Sequence, residues 1–145
     1  MEAPVRLLLA AALMFLSGSA MADAFPSPEA ARTFLDQTMA KIGKGDIEEG
    51  LRQIKPYMAI PTAEVDAMLG QVSLQIPAMA QRFGKPMGHE FISEMKAGES
   101  LVRLLYVQKF EKHGLRWRFL LYKGGSGWII NTFTFDAQLH DLFLP

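Results

Sequence analysis

Tyr57, Tyr106, Tyr122, Glu90, Glu94 and Asn131 are the side chains whose types could move a proton beside a carbonyl group. That chemistry needs a carboxylate or imidazole base, and a hydroxyl or protonated acid held in an apolar pocket to stabilise the enolate. No local motif anchors these residues to catalytic positions. Each tyrosine reads first as a core or rim aromatic whose hydroxyl finds water or a carbonyl. Glu90 and Glu94, assigned to one face of one strand, read as part of a solvated edge.

Other chemistries find less support. His89, His113 and His140 lie far apart, His89-Glu90 lacks the second histidine of a helix-borne zinc site, and the chain has no cysteine, so neither metal nor cofactor is expected. Gly125-Ser126-Gly127 sits in a glycine turn between strands rather than at a strand-to-helix elbow. Gly43-Lys44-Gly45 has too few glycines and no preceding strand to cradle phosphates. The methionines fall mostly on helical stripes (Met39, Met58, Met68, Met79), where thioethers fill gaps, and they are not clustered for copper. Lys109, Lys112, Arg116, Arg118 and Lys123 gather around one hairpin. They read as a solvated face diluted by Glu111, with docking to an anionic ligand or membrane surface as the functional alternative.

The chain opens with Arg6 and an unbroken apolar run over 7–16, followed by small residues ending in Ala20-Met21-Ala22. A basic start, a short apolar helix and small residues before the cut make a secretory signal. Residues 1–22 are therefore expected to be a signal peptide cleaved before Asp23, leaving 23–145 as one domain, periplasmic or secreted, with no stable membrane anchor. The run is about half the ~20 residues a spanning helix needs. Without cysteine the exported domain must rest on an apolar core or on self-association. Charge is balanced at 15 basic and 15 acidic residues, or 14 and 14 once Arg6 and Glu2 are removed, which disfavours nucleic acid as a partner.

Within the domain, Ser27-Pro28-Glu29 is a helix start with Ser27 as cap, and Ala31, Phe34, Leu35, Met39 and Ile42 follow at helical spacing. Gly43-Lys44-Gly45 stops this helix. Asp46 and Glu49 form a capping-box-like start for a second helix bearing Ile47, Leu51, Ile54 and Met58, whose end Pro56 loosens. Thr62 caps a long third segment with Val65, Met68, Leu69, Val72, Ile76, Met79 and Phe83 on one stripe, and Pro77 is expected to kink or break it.

From Gly88 the period becomes strand-like, over 89–96, 101–111, 115–123 and 128–135. The turns at 97–100, 112–114 and 124–127 are expected to supply positive-φ residues. Residues 136–143 are expected to form a helical turn laying Leu139, Leu142 and Phe143 on the body. The fold class is thus α+β: three N-terminal helices on a curved four-stranded antiparallel meander, with a short C-terminal helical turn.

A two-residue turn at His113-Gly114 would place Phe110 opposite Trp117 and Tyr106 opposite Leu121. One face then holds Tyr106, Phe110, Trp117, Phe119 and Leu121, and the other Lys109, Glu111, Arg116 and Arg118, with Leu105, Val107, Leu120 and Tyr122 further in. Large apolar groups on both faces, with Ile129, Phe133 and Phe135 set against Trp128 and Ile130, call for cover on both. The helices cover one face, and a second copy of the chain is expected on the other as a homodimer through the sheet, unless the C-terminal segment or first helix supplies that cover.

This element order, with Trp117-Arg118-Phe119 in one strand and Gly127-Trp128-Ile129-Ile130 opening the last, resembles the nuclear-transport-factor-like (cystatin-like, cone-shaped) α+β superfamily over roughly 28–136. The resemblance implies a conical pocket between sheet and helices and frequent dimerisation through the sheet, but no single activity. A strand often found between the second and third helices has only 57–60 as a candidate here.

The expected function is binding of a small apolar or amphipathic ligand, or of a protein partner, by an exported domain. Tyr57, Tyr106, Trp117, Tyr122 and Asn131 are the candidate lining. The alternatives are a small non-metallic isomerase or cyclase using a pocket carboxylate, and a structural subunit of an envelope assembly.

Overall fold

The computed structural model describes residues 22–144; apart from Ala22, the expected signal segment lies outside the described residues. Three helices, α1 (Pro28–Gly43), α2 (Ile47–Ile54) and α3 (Thr62–Phe83), precede four strands, β1 (Pro86–Ala97), β2 (Leu101–Phe110), β3 (Gly114–Gly124) and β4 (Gly127–Asp136). The strands form one antiparallel sheet in the order β1-β2-β3-β4. A 3-10 turn follows at Leu139–Phe143. No described helix is long and apolar enough to cross a membrane.

The helix ends follow local chemistry in part. The Ala30 N–H donates to the Ser27 hydroxyl at 3.1 Å, with Pro28 in the first turn of α1. Asp46 makes no side-chain cap: its backbone, at φ −84° and ψ 57°, lies outside the extended region a capping residue adopts, its N–H donates to the Lys41 carbonyl at 3.0 Å, and Glu49, its expected capping-box partner, pairs with Arg52 at 2.6 Å. Thr62 is the first residue of α3 rather than its cap; that place belongs to Pro61, which offers no capping oxygen. Pro56 ends α2 as expected, tightening 55–57 into a 3-10 turn. The helix of α3 runs unbroken through Pro77, although Pro77 leaves the Ser73 carbonyl without its usual donor.

The β2–β3 register differs from the expected one. Tyr106 lies opposite Trp117, and Lys109 opposite Gly114. The reason is tertiary: the Glu111 and Lys112 N–H groups donate to the carbonyls of Lys85 and Phe83 at the exit of α3, so the hairpin takes a four-residue connection closed by the Phe110 N–H on the His113 carbonyl. The pairing moves by an even number of residues, so the two faces keep their expected composition. Positive φ occurs at Gly98 and Gly127 in the flanking turns but not at Gly114. A Cβ at Gly114 would lie 3.1 Å from Val107 and 3.4 Å from Leu139, so that glycine serves close packing rather than turn geometry.

Two bulges re-sort side chains between faces. On β4 the pairing steps from Leu120↔Thr132 to Leu121↔Ile130, leaving Asn131 extra. This brings Trp128 and Ile130 onto the helix-facing side with Phe133 and Phe135, contrary to the expected split, and turns Ile129 outward. On β1 the step around Ile92 pairs Glu90 with Val107 but Glu94 with Leu104. The two carboxylates therefore lie on opposite faces and not on one.

The core sits between the helices and the inner face of the sheet. Leu35, Met39 and Ile42 of α1, Leu51 and Ile54 of α2, and Tyr106, Trp117, Phe119, Leu121 and Ile130 of the sheet are buried there. Helix α3 buries only Val65, Val72, Met79 and Phe83 of its stripe. The 57–60 stretch contributes one parallel bridge, Met58 to Ile130, and Phe25 pairs with Trp128 beside it. On the outer face the C-terminal turn covers the Gly114 end, with Leu139 and Leu142 half-buried. Phe143, expected to pack inward, is 86% exposed, because a single 3-10 turn cannot aim all three apolar side chains at one surface.

Candidate functional site

The five residues expected to line a pocket occupy different places. Tyr106 and Trp117 are fully buried, with Trp117 stacked on Phe135 at 4.6 Å and Tyr106 edge-on to Phe91 and Phe119. Tyr57 is half-buried and stacks on Phe25 at 4.1 Å, with Phe34 beside it. Tyr122 is on the outer face, 44% exposed, and Asn131 is exposed at the β4 bulge. Tyr106 and Trp117 are neighbours across the β2–β3 pair; the other three join neither them nor one another.

The polar atoms of that buried pair are engaged in joining α1 to the sheet. The Tyr106 hydroxyl donates to the Asp36 carboxylate at 2.6 Å. Arg32, one turn earlier, lies 3.8 Å from the same carboxylate and 3.5 Å from the centre of the Phe91 ring. Burial, then the bond to Asp36, pushes the Tyr106 phenol well above its ordinary value. Deeper in, the Trp117 indole N–H donates to Gln108 Oε1 at 3.0 Å, and Gln108 Nε2 donates to the Ile42 carbonyl at 2.9 Å. A buried glutamine satisfied on both sides is a structural link.

A second network ties the C-terminal turn to the outer face. Arg116 grips Asp136 with Nε at 3.1 Å and Nη2 at 2.8 Å, Arg118 Nη2 donates to the same carboxylate at 2.8 Å, and the Gln138 N–H donates to it at 2.9 Å. Arg116 also approaches Asp141 at 3.5 Å. The hydrogen bonds from Arg116 hold Asp136 below the usual carboxylate range against the opposing effect of desolvation, and they raise Arg116 in turn. Of the five cations expected around the hairpin, Arg116 and Arg118 are thus neutralised, and Lys123 lies opposite Trp128 near the far end of the sheet. Among the described residues no group of three or more histidines and carboxylates is arranged to hold a metal ion.

Open space lies where α3 stands away from the ends of β3 and β4. A cleft of about 380 Å³ is walled there by Leu74, Met79, Phe83, Leu115 and Phe135, with Arg82 and Asp136 at its rim. A larger opening, about 670 Å³, runs between Ala22-Asp23 and 55–62. Its borders are mainly small or polar, and its one long apolar side chain besides Ile60, Met58, is buried. The smaller cleft is the better ligand site, because apolar walls with a few polar groups are what such sites share.

Asp136 is saturated by its two arginines, whereas Arg82 has no ion pair among the described residues and lies 5.7 Å over the Phe83 ring. The cleft therefore offers an apolar interior and one free positive charge. Sequence reasoning placed Met79 and Phe83 on the core stripe and did not single out Arg82 or Leu74. Leu74, 81% exposed on the side of α3 away from that stripe, was the available signal. Comparison with protein-family models, curated proteins and solved structures returns no significant match.

Proposed function

We propose that this chain is an exported binding domain that holds an amphipathic molecule, an elongated apolar group with an anionic head, in the cleft between α3 and the ends of β3 and β4. The observation that carries the reading is the pairing of the wall formed by Met79, Phe83, Leu115 and Phe135 with the free guanidinium of Arg82. Its volume, about 380 Å³, falls in the lower part of the roughly 300–1,000 Å³ range of ligand sites. The order of three helices before a four-stranded antiparallel sheet supports the α+β class, and the sequence's resemblance to the cone-shaped superfamily implies a pocket between sheet and helices.

Binding is tested with a fluorescent polyene fatty acid, displaced by oleate. Ala78→Trp places an indole in the cleft from an exposed helical position and weakens binding by about tenfold or more, the equivalent of ~1.4 kcal/mol. Ala63→Trp, on an exposed part of the same helix outside the cleft, leaves it unchanged. Oleate methyl ester, lacking the charge, competes less well than oleate. Equal binding by Ala78→Trp and the parent protein defeats the assignment.

A further inference from the structure

Three chain segments distant in sequence meet at one end of the molecule. The end of α1 abuts the start of β1: a Cβ at Gly43 would lie 2.6 Å from the Gly88 carbonyl carbon, and one at Gly45 3.1 Å from the Pro86 ring. The exit of α3 is bonded to the β2–β3 connection through Glu111 N–H to Lys85 O at 3.0 Å and Lys112 N–H to Phe83 O at 2.9 Å. These contacts gather Lys41, Lys44, Arg82, Lys85, Lys109 and Lys112 at one pole. All but the half-buried Lys41 are exposed, and none has an ion pair among the described residues. Within the same three stretches, 41–46, 82–88 and 109–113, the carboxylates are Asp46 and Glu111. Glu48 and Glu49, the latter paired with Arg52, border Gly45 and Asp46 at the edge of this region, so a chain of balanced overall charge carries a pole with an excess of positive charge.

One long apolar side chain stands among these cations, beside the exposed Pro86 ring. Met87, at the irregular start of β1 where the register steps between Pro86 and Gly88, is 62% exposed. From this arrangement we infer that the pole is a docking surface for a lipid bilayer bearing anionic headgroups, with the lysines over the phosphates and Met87 entering the interface. Charge complementarity selects the anionic surface, since each basic residue held near such a surface contributes about fivefold to partitioning. The lone methionine selects a bilayer over a soluble polyanion, which offers no apolar layer to receive it. One charge is too weak an anchor and six are enough, so the attachment is reversible and sensitive to salt. Arg82 and Phe83 belong both to this pole and to the cleft, so the docked protein holds the mouth of its cleft toward the bilayer. The docking itself does not require an occupied cleft.

Co-sedimentation of residues 23–145 with phosphatidylcholine vesicles, with and without a minor fraction of phosphatidylglycerol, tests the inference. The expected result is partitioning onto the anionic vesicles alone, lost as salt is raised. The triple variant Lys85→Glu, Lys109→Glu, Lys112→Glu binds at least about 100-fold more weakly while still binding the fluorescent fatty acid, and Met87→Ser binds more weakly but keeps the salt dependence. Ala78→Trp, which blocks the cleft, docks as the parent does, so failure of the cleft and failure of the pole are told apart. Equal partitioning onto neutral vesicles, a triple variant that docks normally, or full competition by soluble glycerophosphate each overturns the proposal.

Discussion

Gln108→Leu removes a side chain that is fully buried and bonded on both sides, linking the Trp117 indole to the end of α1. Trp117 is itself fully buried, so its N–H loses its acceptor with no route to water, at a cost of about 1–3 kcal/mol. The Ile42 carbonyl suffers less, because the Gly45 N–H still donates to it at 3.0 Å. The expected loss is therefore about 2 kcal/mol, a fall in Tm of roughly 8 °C for a domain of this size. Trp117→Phe alone orphans Gln108 Oε1 and leaves space where the larger ring lay, for about 2–3 kcal/mol. The double variant removes both the indole donor and its glutamine acceptor, so its cost falls short of the sum of the two singles by about 1–2 kcal/mol. Urea unfolding followed by far-ultraviolet circular dichroism, which does not depend on the tryptophan, measures all three. Additivity to within about 0.5 kcal/mol, or a single Gln108→Leu cost below that figure, would refute the claim that the Trp117–Gln108 hydrogen bond stabilises the fold.

Gly43→Ala drives a Cβ to 2.6 Å from the backbone of Gly88, which cannot rotate aside, and costs about 2 kcal/mol or more; Gly70→Ala, on an exposed part of α3 with open space around it, stabilises by about 0.5–1 kcal/mol in the same chemical denaturation. Asp136 has a folded-state pKa below its unfolded value, so its contribution is full above about pH 4 and is lost as pH falls through the lower folded value. Asp136→Asn accordingly unfolds more easily at neutral pH, by about 3 kcal/mol because Arg116 is left buried without its main partner, and shows a shallower loss of stability in acid. Tyr106 has the opposite sign: its raised folded-state value makes its contribution full below about pH 10 and lost as pH rises above that, so Tyr106→Phe unfolds with less alkaline dependence than the parent in a pH-jump titration. Phe25→Ala removes the ring stacked on Tyr57 and packed near Phe34 and lowers stability by about 3 kcal/mol, read by thermal denaturation.

Local chemistry was enough to place most elements. The Ser27 cap and the stop at Gly43 act within a few residues of the chain and are found where the sequence puts them, whereas α2 ends at Ile54, before the Met58 expected on it, and β1 begins at Pro86 rather than at Gly88. The composition of the β2 and β3 faces was legible for the same reason, since alternation along a strand is independent of its partner. What the polar tips of the candidate lining meet was not legible. Those of Tyr106 and Trp117 are met by Asp36 and Gln108, residues whose roles become visible only once α1 is laid on the sheet.

The sequence by itself determined an α+β order of three helices before four strands, the start and stop of the first helix, and which side chains of the central strands share a face, because capping, periodicity and turn preference are properties of neighbouring residues. Only the tertiary structure decided the β2–β3 register, the two bulges that moved Glu94 and Trp128 across the sheet, the cleft beside α3 and the gathering of lysines at one pole. The register, the cleft and the pole depend on contacts between segments tens of residues apart, and the bulges on how adjacent strands pair. The backbone bonds from the exit of α3 to Glu111 and Lys112 outweigh the preference of a short turn, and no local pattern encodes that competition.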